Sequence, residues 1–329
     1  MKAIVAETFG GPEALAVVDR PVPEAGAGEL LVRVRATALN RADVLQRMGK
    51  YPPPPGVTDI LGLEMAGEVA AVGPGADGFR AGDRVCALLP GGGYAEYAVI
   101  PAGMAMRIPD GMTFEEAAAV PEAFLTAYLN LWRLGALREG HRVLVHAAGS
   151  GVGTAAIQLI REAGAASYAT AGSPEKLQAA LELGASAAWN YRDGSFREWL
   201  LAQTDGRGVD IALDFVGAPY FADHLATLAT DGRLIVIGLL GGGAVPDGFS
   251  LGALVAKRLH VIGTTLRSRP VADKISLTQE FAAFALPRFA DGRLRAVVDS
   301  VYAFEDAAEA HRRMESNANI GKIVLRLDP

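Results

Sequence analysis

The sequence predicts an α/β protein, with a doubly wound parallel sheet and a separate β-rich unit drawn from both ends of the chain. Three features carry that prediction. Apolar runs and helical runs alternate between about residues 140 and 265, a glycine cluster follows the first of these runs, and period-two strands with glycine and proline turns fill the first 120 residues. The chain has 329 residues, 50% of them hydrophobic, and single cores stop growing at roughly 250–300 residues, so two domains are expected.

In the β-rich part, residues 30–38 alternate Val and Leu with Arg33 and Arg35, the pattern of a half-buried strand, and residues 64–72 and 83–89 also read as strands. Gly73-Pro74-Gly75 and Pro90-Gly91-Gly92-Gly93 are the turns between them. Residues 41–48 predict one short helix. Tyr51 leads into Pro52-Pro53-Pro54-Pro55, which can be neither helix nor central strand and predicts a stiff extended loop.

From residue 121 the period changes. A helix is expected over 121–134, a strand over 142–146 and a helix over 152–163. Strand and helix then alternate at 167–171, 174–183, 187–191, 209–215, 219–228 and 233–238, with 260–265 as the last strand of the sheet. Near the C-terminus, 271–289 and 304–314 are helical in pattern. Residues 296–302 and 320–327 are strand-like, and the last is expected to rejoin the N-terminal domain.

Composition narrows the function classes. The net charge is −6 and the pI about 5.5, which argues against nucleic acid and acidic membrane surfaces as partners. The single cysteine, Cys86, excludes an internal disulfide and a multi-thiolate metal site, and its apolar surroundings fit a small buried hydrophobe. The histidines, at 141, 146, 224, 260 and 311, have no ligand spacing, and no metal is expected. Apolar stretches such as 234–240 fall far short of the ~20 residues of a membrane span, and Met1–Glu7 holds no apolar signal core. A soluble, cytoplasmic protein is expected.

The cofactor signal is stronger. Arg142-Val143-Leu144-Val145-His146 runs into Ala147-Ala148-Gly149-Ser150-Gly151-Val152-Gly153-Thr154. Glycines permit a tight turn and let a pyrophosphate approach the backbone, and the amides of the following helix point at its charge. The spacing is G-x-G-x-G rather than G-x-G-x-x-G, so the strand before it and the alternation after it carry part of the weight. An NAD site usually places an acid ~20 residues on, to hold the ribose 2′-hydroxyl. Here that slot is Thr170-Ala171-Gly172-Ser173, no acid occurs from Ala163 to Pro174, and Lys176 follows. A carboxylate ~4 Å from a phosphate would repel it by about 4 kcal/mol at an effective dielectric of ~20, so its absence favours NADPH. Ser173 before Pro174 is also an ordinary helix cap, and one residue can serve both purposes.

These segments together resemble the medium-chain dehydrogenase/reductase superfamily, in its zinc-independent, zeta-crystallin-like quinone oxidoreductase branch, and the tumour-suppressor-inducible subgroup above all. The likeness rests on Ala38-Leu39-Asn40-Arg41-Ala42-Asp43, Tyr51 to Gly56, Ile60-Leu61-Gly62-Leu63-Glu64, Leu88 to Gly93, Ser150 to Leu159 and Asn319-Ile320-Gly321-Lys322-Ile323-Val324. Zinc alcohol dehydrogenases of the superfamily carry a cysteine where Asn40 falls, a histidine before the glutamate where this chain has Leu63-Glu64, and often a four-cysteine loop; all are absent here.

The resemblance implies a discontinuous GroES-like β-rich domain, residues 1–120 and 264–329, around a Rossmann domain, residues 121–263. It implies a nicotinamide cleft with Asn40 and Tyr51 as catalytic candidates. Ser150, Gly151, Val152 and Gly153 match the phosphate turn, and Gly172, Ser173, Lys176 and Tyr191 the 2′-phosphate side. Gly238, Leu239, Leu240 and Asn319 match further cofactor contacts. Read without the family, Asn40 could cap the helix at Arg41, Tyr51 could pack on the proline run and Asn319 could be a turn residue. The implied activity is NADPH-dependent reduction of a small quinone by a homodimer. Two alternatives stand beside it: reduction of an enone or enoyl thioester, with Arg267 and Arg269 as a basic patch for a coenzyme A ester, and a non-catalytic RNA-binding or structural role.

Overall fold

A computed structural model describes residues 1–245 and 251–328. Its contacts separate two compact units: residues 1–125 with 266–329, and residues 126–265.

The second unit is built on six parallel strands in the spatial order Ala187–Asn190, Ala166–Ala171, Arg142–Val145, Val209–Asp214, Leu228–Val236, His260–Gly263. Numbered along the chain, that order is 3-2-1-4-5-6, the order of a Rossmann sheet. Val143, Leu144, Val145, Ile211, Ala212 and Leu213 are all fully buried, as strands covered on both faces must be. The order reverses between Arg142–Val145 and Val209–Asp214, and the carboxyl ends of these two strands define the switch point where open α/β sheets bind ligands.

The first unit holds a larger mixed sheet. Glu29–Ala38 is its central strand and pairs antiparallel with Glu64–Val72, Tyr97–Pro101 and Lys322–Arg326. Val324 lies opposite Ala38, so the end of the chain closes onto the strand that precedes Asn40. The core gathers Ile4, Leu30, Val32, Leu39, Met65, Val85 and Tyr94 from the N-terminal segment with Phe304, Ile323 and Leu325 from the C-terminal one.

Most departures from the sequence pattern have a local cause. The helix expected over 121–134 keeps α geometry only through Pro121–Tyr128, then widens to a π turn over Leu129–Leu134. Asn130 Nδ2 donates to the Thr126 carbonyl at 2.8 Å, taking the acceptor that an α ladder would give to the Asn130 backbone N–H. The helix Phe196–Gln203 and the antiparallel pair Lys2–Ala6 with Leu15–Asp19 had no clear periodic signal. Among the described residues no helix is long and apolar enough to cross a membrane.

Candidate active site

In the parallel-sheet unit, the strand Arg142–Val145 is followed at the switch point by a turn in which Ala147 has φ of 50°. Ser150 then caps the helix Gly151–Glu162: its hydroxyl accepts the Gly153 N–H at 3.0 Å, and its carbonyl accepts the Thr154 N–H at 2.9 Å. The N–H groups of Gly151 and Val152 therefore remain as outward donors at the helix start. A Cβ on Gly153 would overlap the Ala147 carbonyl oxygen, so glycine is needed for the helix to pack this closely on the turn.

The next strand, Ala166–Ala171, ends at Gly172 and Ser173. Ser173 caps the helix Pro174–Glu182, its hydroxyl oxygen accepting the Lys176 N–H at 3.4 Å. The Lys176 methylenes lie over Gly149, and the Tyr191 hydroxyl lies over Gly172; a Cβ on either glycine would overlap these side chains. Two strand ends and the glycine turn thus bring Ser150–Gly153, Gly172, Ser173, Lys176 and Tyr191 together. Outward helix amides at a glycine turn, with a lysine beside them, fit a dinucleotide pyrophosphate and a 2′-phosphate. Glu175 tempers this: just past the acid-free stretch, its carboxyl is held below its usual range by its own backbone N–H and by the Ser173 hydroxyl. Gly238, Leu239 and Leu240 follow the fifth strand. The Leu240 N–H is fixed to the Phe215 carbonyl at 3.0 Å, and Leu239 and Leu240 are 56% and 64% exposed.

The β-rich unit holds a polar cluster around Asn40. Asn40 occupies the cap position of the helix Arg41–Arg47, where the Asp43 carboxylate accepts its backbone N–H at 2.8 Å. Its side chain turns elsewhere. Nδ2 donates to Glu64 Oε1 at 2.8 Å and to the Ala38 carbonyl at 3.3 Å, and Oδ1 accepts from Lys322 Nζ at 2.6 Å. Carboxylates only accept and ammonium groups only donate, so these neighbours fix the orientation of the amide. Lys322 Nζ also reaches Glu64 Oε1 at 2.7 Å and the Leu39 carbonyl at 2.6 Å, and Glu64 Oε2 accepts the Glu122 backbone N–H at 2.7 Å. Both amide hydrogens of Asn40 are thus engaged within the chain. Donation from Asn40 to a substrate oxygen, the role expected of a catalytic amide, would require breaking one of these bonds. The geometry makes Asn40 the link between Glu64 and Lys322.

Tyr51 is half-buried, and the Arg267 guanidinium lies 5.3 Å from its ring centroid. Arg267 is only 6% exposed and donates to the Pro90 carbonyl at 2.7 Å and to Gln46 at 2.8 Å. It backs the Tyr51 ring and does not belong to an exposed basic patch, which corrects the reading of Arg267 as a docking residue for a coenzyme A ester. Burial raises the Tyr51 phenol above its ordinary value, more than Arg267 lowers it, so the hydroxyl keeps its proton. Asn319 Nδ2 donates to the Gly321 carbonyl at 2.9 Å, bracing its own turn.

One functional candidate escaped the sequence reading. Glu122 opens the helix Pro121–Tyr128, and its carboxyl is pushed up to about 8, first by enclosure and then by repulsion from Glu64, against the attraction of Lys322. The signal was present as a lone acid inside Ala117-Ala118-Ala119-Val120-Pro121-Glu122-Ala123-Phe124-Leu125, but an acid in a first helical turn is ordinary enough to pass unmarked.

Comparison with known proteins agrees with this geometry. Residues 26–110 match the family described as alcohol dehydrogenase GroES-like domain, and residues 151–286 the family described as zinc-binding dehydrogenase. The chain is 32% identical to human quinone oxidoreductase, across 99% of this chain and 98% of that protein. It is also 32% identical to the rat synaptic vesicle membrane protein VAT-1 homolog, across 99% and 84%. Among solved structures, Escherichia coli quinone oxidoreductase complexed with NADPH superposes with a TM-score of 0.87 at 32% identity, covering 99% of this chain and 100% of that one. CurK enoyl reductase superposes with a TM-score of 0.86 at 28% identity, covering 99% of each chain. The chain belongs to the medium-chain dehydrogenase/reductase superfamily, in its quinone oxidoreductase branch, and is an oxidoreductase. Despite the second family's description, no group of three or more His, Cys, Asp or Glu among the described residues could hold a metal ion.

Proposed function

We propose that this protein reduces a small quinone with NADPH and does so without zinc. The carrying observation is the Lys322 ammonium, seated on the Asn40, Glu64 and Leu39 oxygens. A metal ion bound to those oxygens would have to displace a buried cation already within hydrogen-bonding distance of all three.

Bound NADPH supplies a hydride. Ser150 to Gly153 would hold the pyrophosphate, and Ser173, Lys176 and Tyr191 the 2′-phosphate. A quinone is electrophilic before any proton moves, so proximity and orientation supply most of what the reaction needs. Tyr51, backed by Arg267, offers an aromatic wall and a protonated hydroxyl that can donate to an oxygen as negative charge grows there. The test is an NADPH-oxidation screen over quinones, enones and enoyl thioesters. Quinones should turn over fastest, and Tyr51→Phe should slow them about tenfold to a hundredfold, roughly 1.4–2.7 kcal/mol of barrier, with NADPH binding retained. Enoyl thioesters outrunning every quinone would instead favour the enoyl reductase reading.

Cofactor choice can be checked separately. Charge-assisted bonds to phosphate contribute roughly 1.5–3 kcal/mol, so Lys176→Ala should weaken NADPH by about tenfold or more and leave NADH nearly unchanged. Equal losses for both cofactors would remove Lys176 from the 2′-phosphate site.

The homodimer reading rests on the last sheet strand, His260–Gly263, which among the described residues is paired on one side only, and on the exposed Val261 within it and Val255 in the preceding helix. Light scattering at micromolar concentration should report two chains, and a monomer there would end this reading.

A further inference from the structure

We propose that Arg267 is a positioning residue: its buried guanidinium clamps the Tyr51 ring and strengthens the Tyr51 hydroxyl as a hydrogen-bond donor to the acceptor. This role rests on the quinone-reductase reading above. Arg267 is 6% exposed, and among the described residues no carboxylate pairs with it. Asp43 and Glu122 act on its charge without forming an ion pair with it. Its Nε donates to the Pro90 carbonyl at 2.7 Å and its Nη2 to Gln46 Oε1 at 2.8 Å. These two acceptors are neutral, so they fix the plane of the fork and leave its charge uncompensated. Nη1 is enclosed and has no hydrogen-bond partner among the described residues. A second cation, Lys274, is 5% exposed and donates from Nζ to the Arg267 carbonyl at 3.3 Å, which adds to the positive field.

A buried charge with no counter-ion is costly, and a side chain needed only to tie Pro90 to Gln46 would not have to be charged, because a neutral amide could donate to both. The charge does face something. The guanidinium carbon lies over the Tyr51 ring, 5.3 Å from its centroid. Its two anchors come from the helix Arg41–Arg47 and from the turn that begins at Pro90, so the ring rests on a support fixed at both ends. The proline run that follows Tyr51 stiffens the chain on the other side. The Tyr51 hydroxyl, by contrast, has no hydrogen-bond partner among the described residues and is not enclosed. Tyr51 thus combines a clamped face with a free donor.

Negative charge grows on a quinone oxygen as hydride arrives. A phenol that donates to this oxygen takes part of that charge onto its own oxygen and ring. A cation held on the ring face favours the shift, and burial strengthens the attraction because little water screens it. The guanidinium keeps its charge at every working pH, so the effect is always present. No proton has to leave Tyr51 for this; the hydroxyl only has to be a stronger donor and to stay in place. Arg267 touches neither acceptor nor cofactor in this role and acts through Tyr51.

Single-turnover hydride transfer from NADPH to a benzoquinone tests this in full chains, with Arg267→Met made alone and together with Tyr51→Phe. Arg267→Met should slow transfer about tenfold where Tyr51 is present and less than about twofold in the Tyr51→Phe chain, because the cation acts through the hydroxyl. The NADPH dissociation constant should stay the same in every variant, which also shows that each is folded. Arg267→Lys keeps the charge and loses the fork, so it should recover part of the rate. Gln46→Leu removes one anchor and leaves the cation, so it should cost about threefold with Tyr51 present and nothing in Tyr51→Phe, and it carries the same test if Arg267→Met does not fold. An equal loss with and without the Tyr51 hydroxyl, or Arg267→Lys no faster than Arg267→Met, would overturn the proposal while leaving quinone reduction intact. Failure of wild type to reduce any quinone would overturn the function first and this role with it.

Discussion

Lys322→Met is expected to destabilise the β-rich unit by about 3–5 kcal/mol, the usual consequence of stranding one charge of a buried ion pair. The Lys322 and Glu64 side chains are 6% and 0% exposed and meet at 2.7 Å. Methionine matches the lysine stem in size, so packing is nearly conserved and the loss is electrostatic. The Glu64 carboxylate would keep only the Asn40 amide and the Glu122 N–H as partners. Adding Glu64→Gln removes the stranded charge. Once Lys322 no longer donates to Asn40 Oδ1, the Asn40 amide can flip, so that a glutamine amide at 64 donates to Oδ1 while the glutamine oxygen keeps the Glu122 N–H. The double variant should therefore be more stable than Lys322→Met alone. Urea denaturation followed by circular dichroism would measure both, and a double variant no better than the single one would show that Lys322 acts through packing and not through Glu64.

That cluster also marks the limit of what the sequence made legible. Most strand positions in the parallel-sheet unit follow from period, because a strand buried on both faces is a short apolar run, whereas the helices Phe196–Gln203 and Gly252–Lys257 carry no such signal. The expected strand at 233–238 appears as part of Leu228–Val236, and the expected helix at 174–183 as Pro174–Glu182. The phosphate turn was legible because its residues are contiguous. The polar cluster was not, because Asn40 and Lys322 are 282 positions apart and meet only when the last strand pairs beside Ala38. Asn40 reads as a catalytic candidate, since nothing in its neighbourhood along the chain shows that Lys322 and Glu64 occupy both ends of its amide. Glu122 was hidden for a related reason: the carboxylate that raises its proton affinity comes from another element.

Histidine shows the same limit. With no ligand spacing, His146 and His224 gave no signal. In the fold their Nε2 atoms lie 2.9 Å apart, both side chains are fully buried, and His146 Nδ1 meets the Thr170 hydroxyl at 2.6 Å. With Thr170 donating to Nδ1, His146 Nε2–H donates to His224 Nε2. The His224 Nδ1–H then faces Asp214 at 4.0 Å, too far for a hydrogen bond. His311 is a third case in the other unit, accepting from Arg47 at 3.2 Å and lying 3.3 Å from the Tyr94 hydroxyl, which in turn reaches Asp43 at 3.3 Å.

The consequence is an acid sensitivity of opposite character in the two units. Burial lowers His146 well below its ordinary value and His224 to about 3, and in each case a folded imidazole stays neutral while the unfolded one takes a proton below about pH 6.5. Stability is therefore unaffected above pH 6.5 and is lost as pH falls from there towards the folded values. For His224 the slope is about 1.4 kcal/mol per pH unit, or roughly 2 kcal/mol at pH 5, and His146 adds in the same direction. Asp214, raised by burial, opposes this, one carboxyl against two imidazoles. In the β-rich unit, His311 at about 3 is countered by Asp43 at about 6 and Glu122 at about 8, which hold protons in the fold that the unfolded chain has released, so acid favours that fold through them. The parallel-sheet unit should thus be the first to melt as pH falls. Its unfolding can be read alone, because Trp132, Trp189 and Trp199, the only 3 tryptophans, all lie within residues 126–265. Urea titrations by tryptophan fluorescence should show most of that stability loss between pH 7 and pH 5, and His146→Asn/His224→Gln, which keeps polar side chains that do not titrate, should remove most of it. An equal loss in the double variant would mean that other groups set the acid response and that the buried pair is protonated in the fold after all.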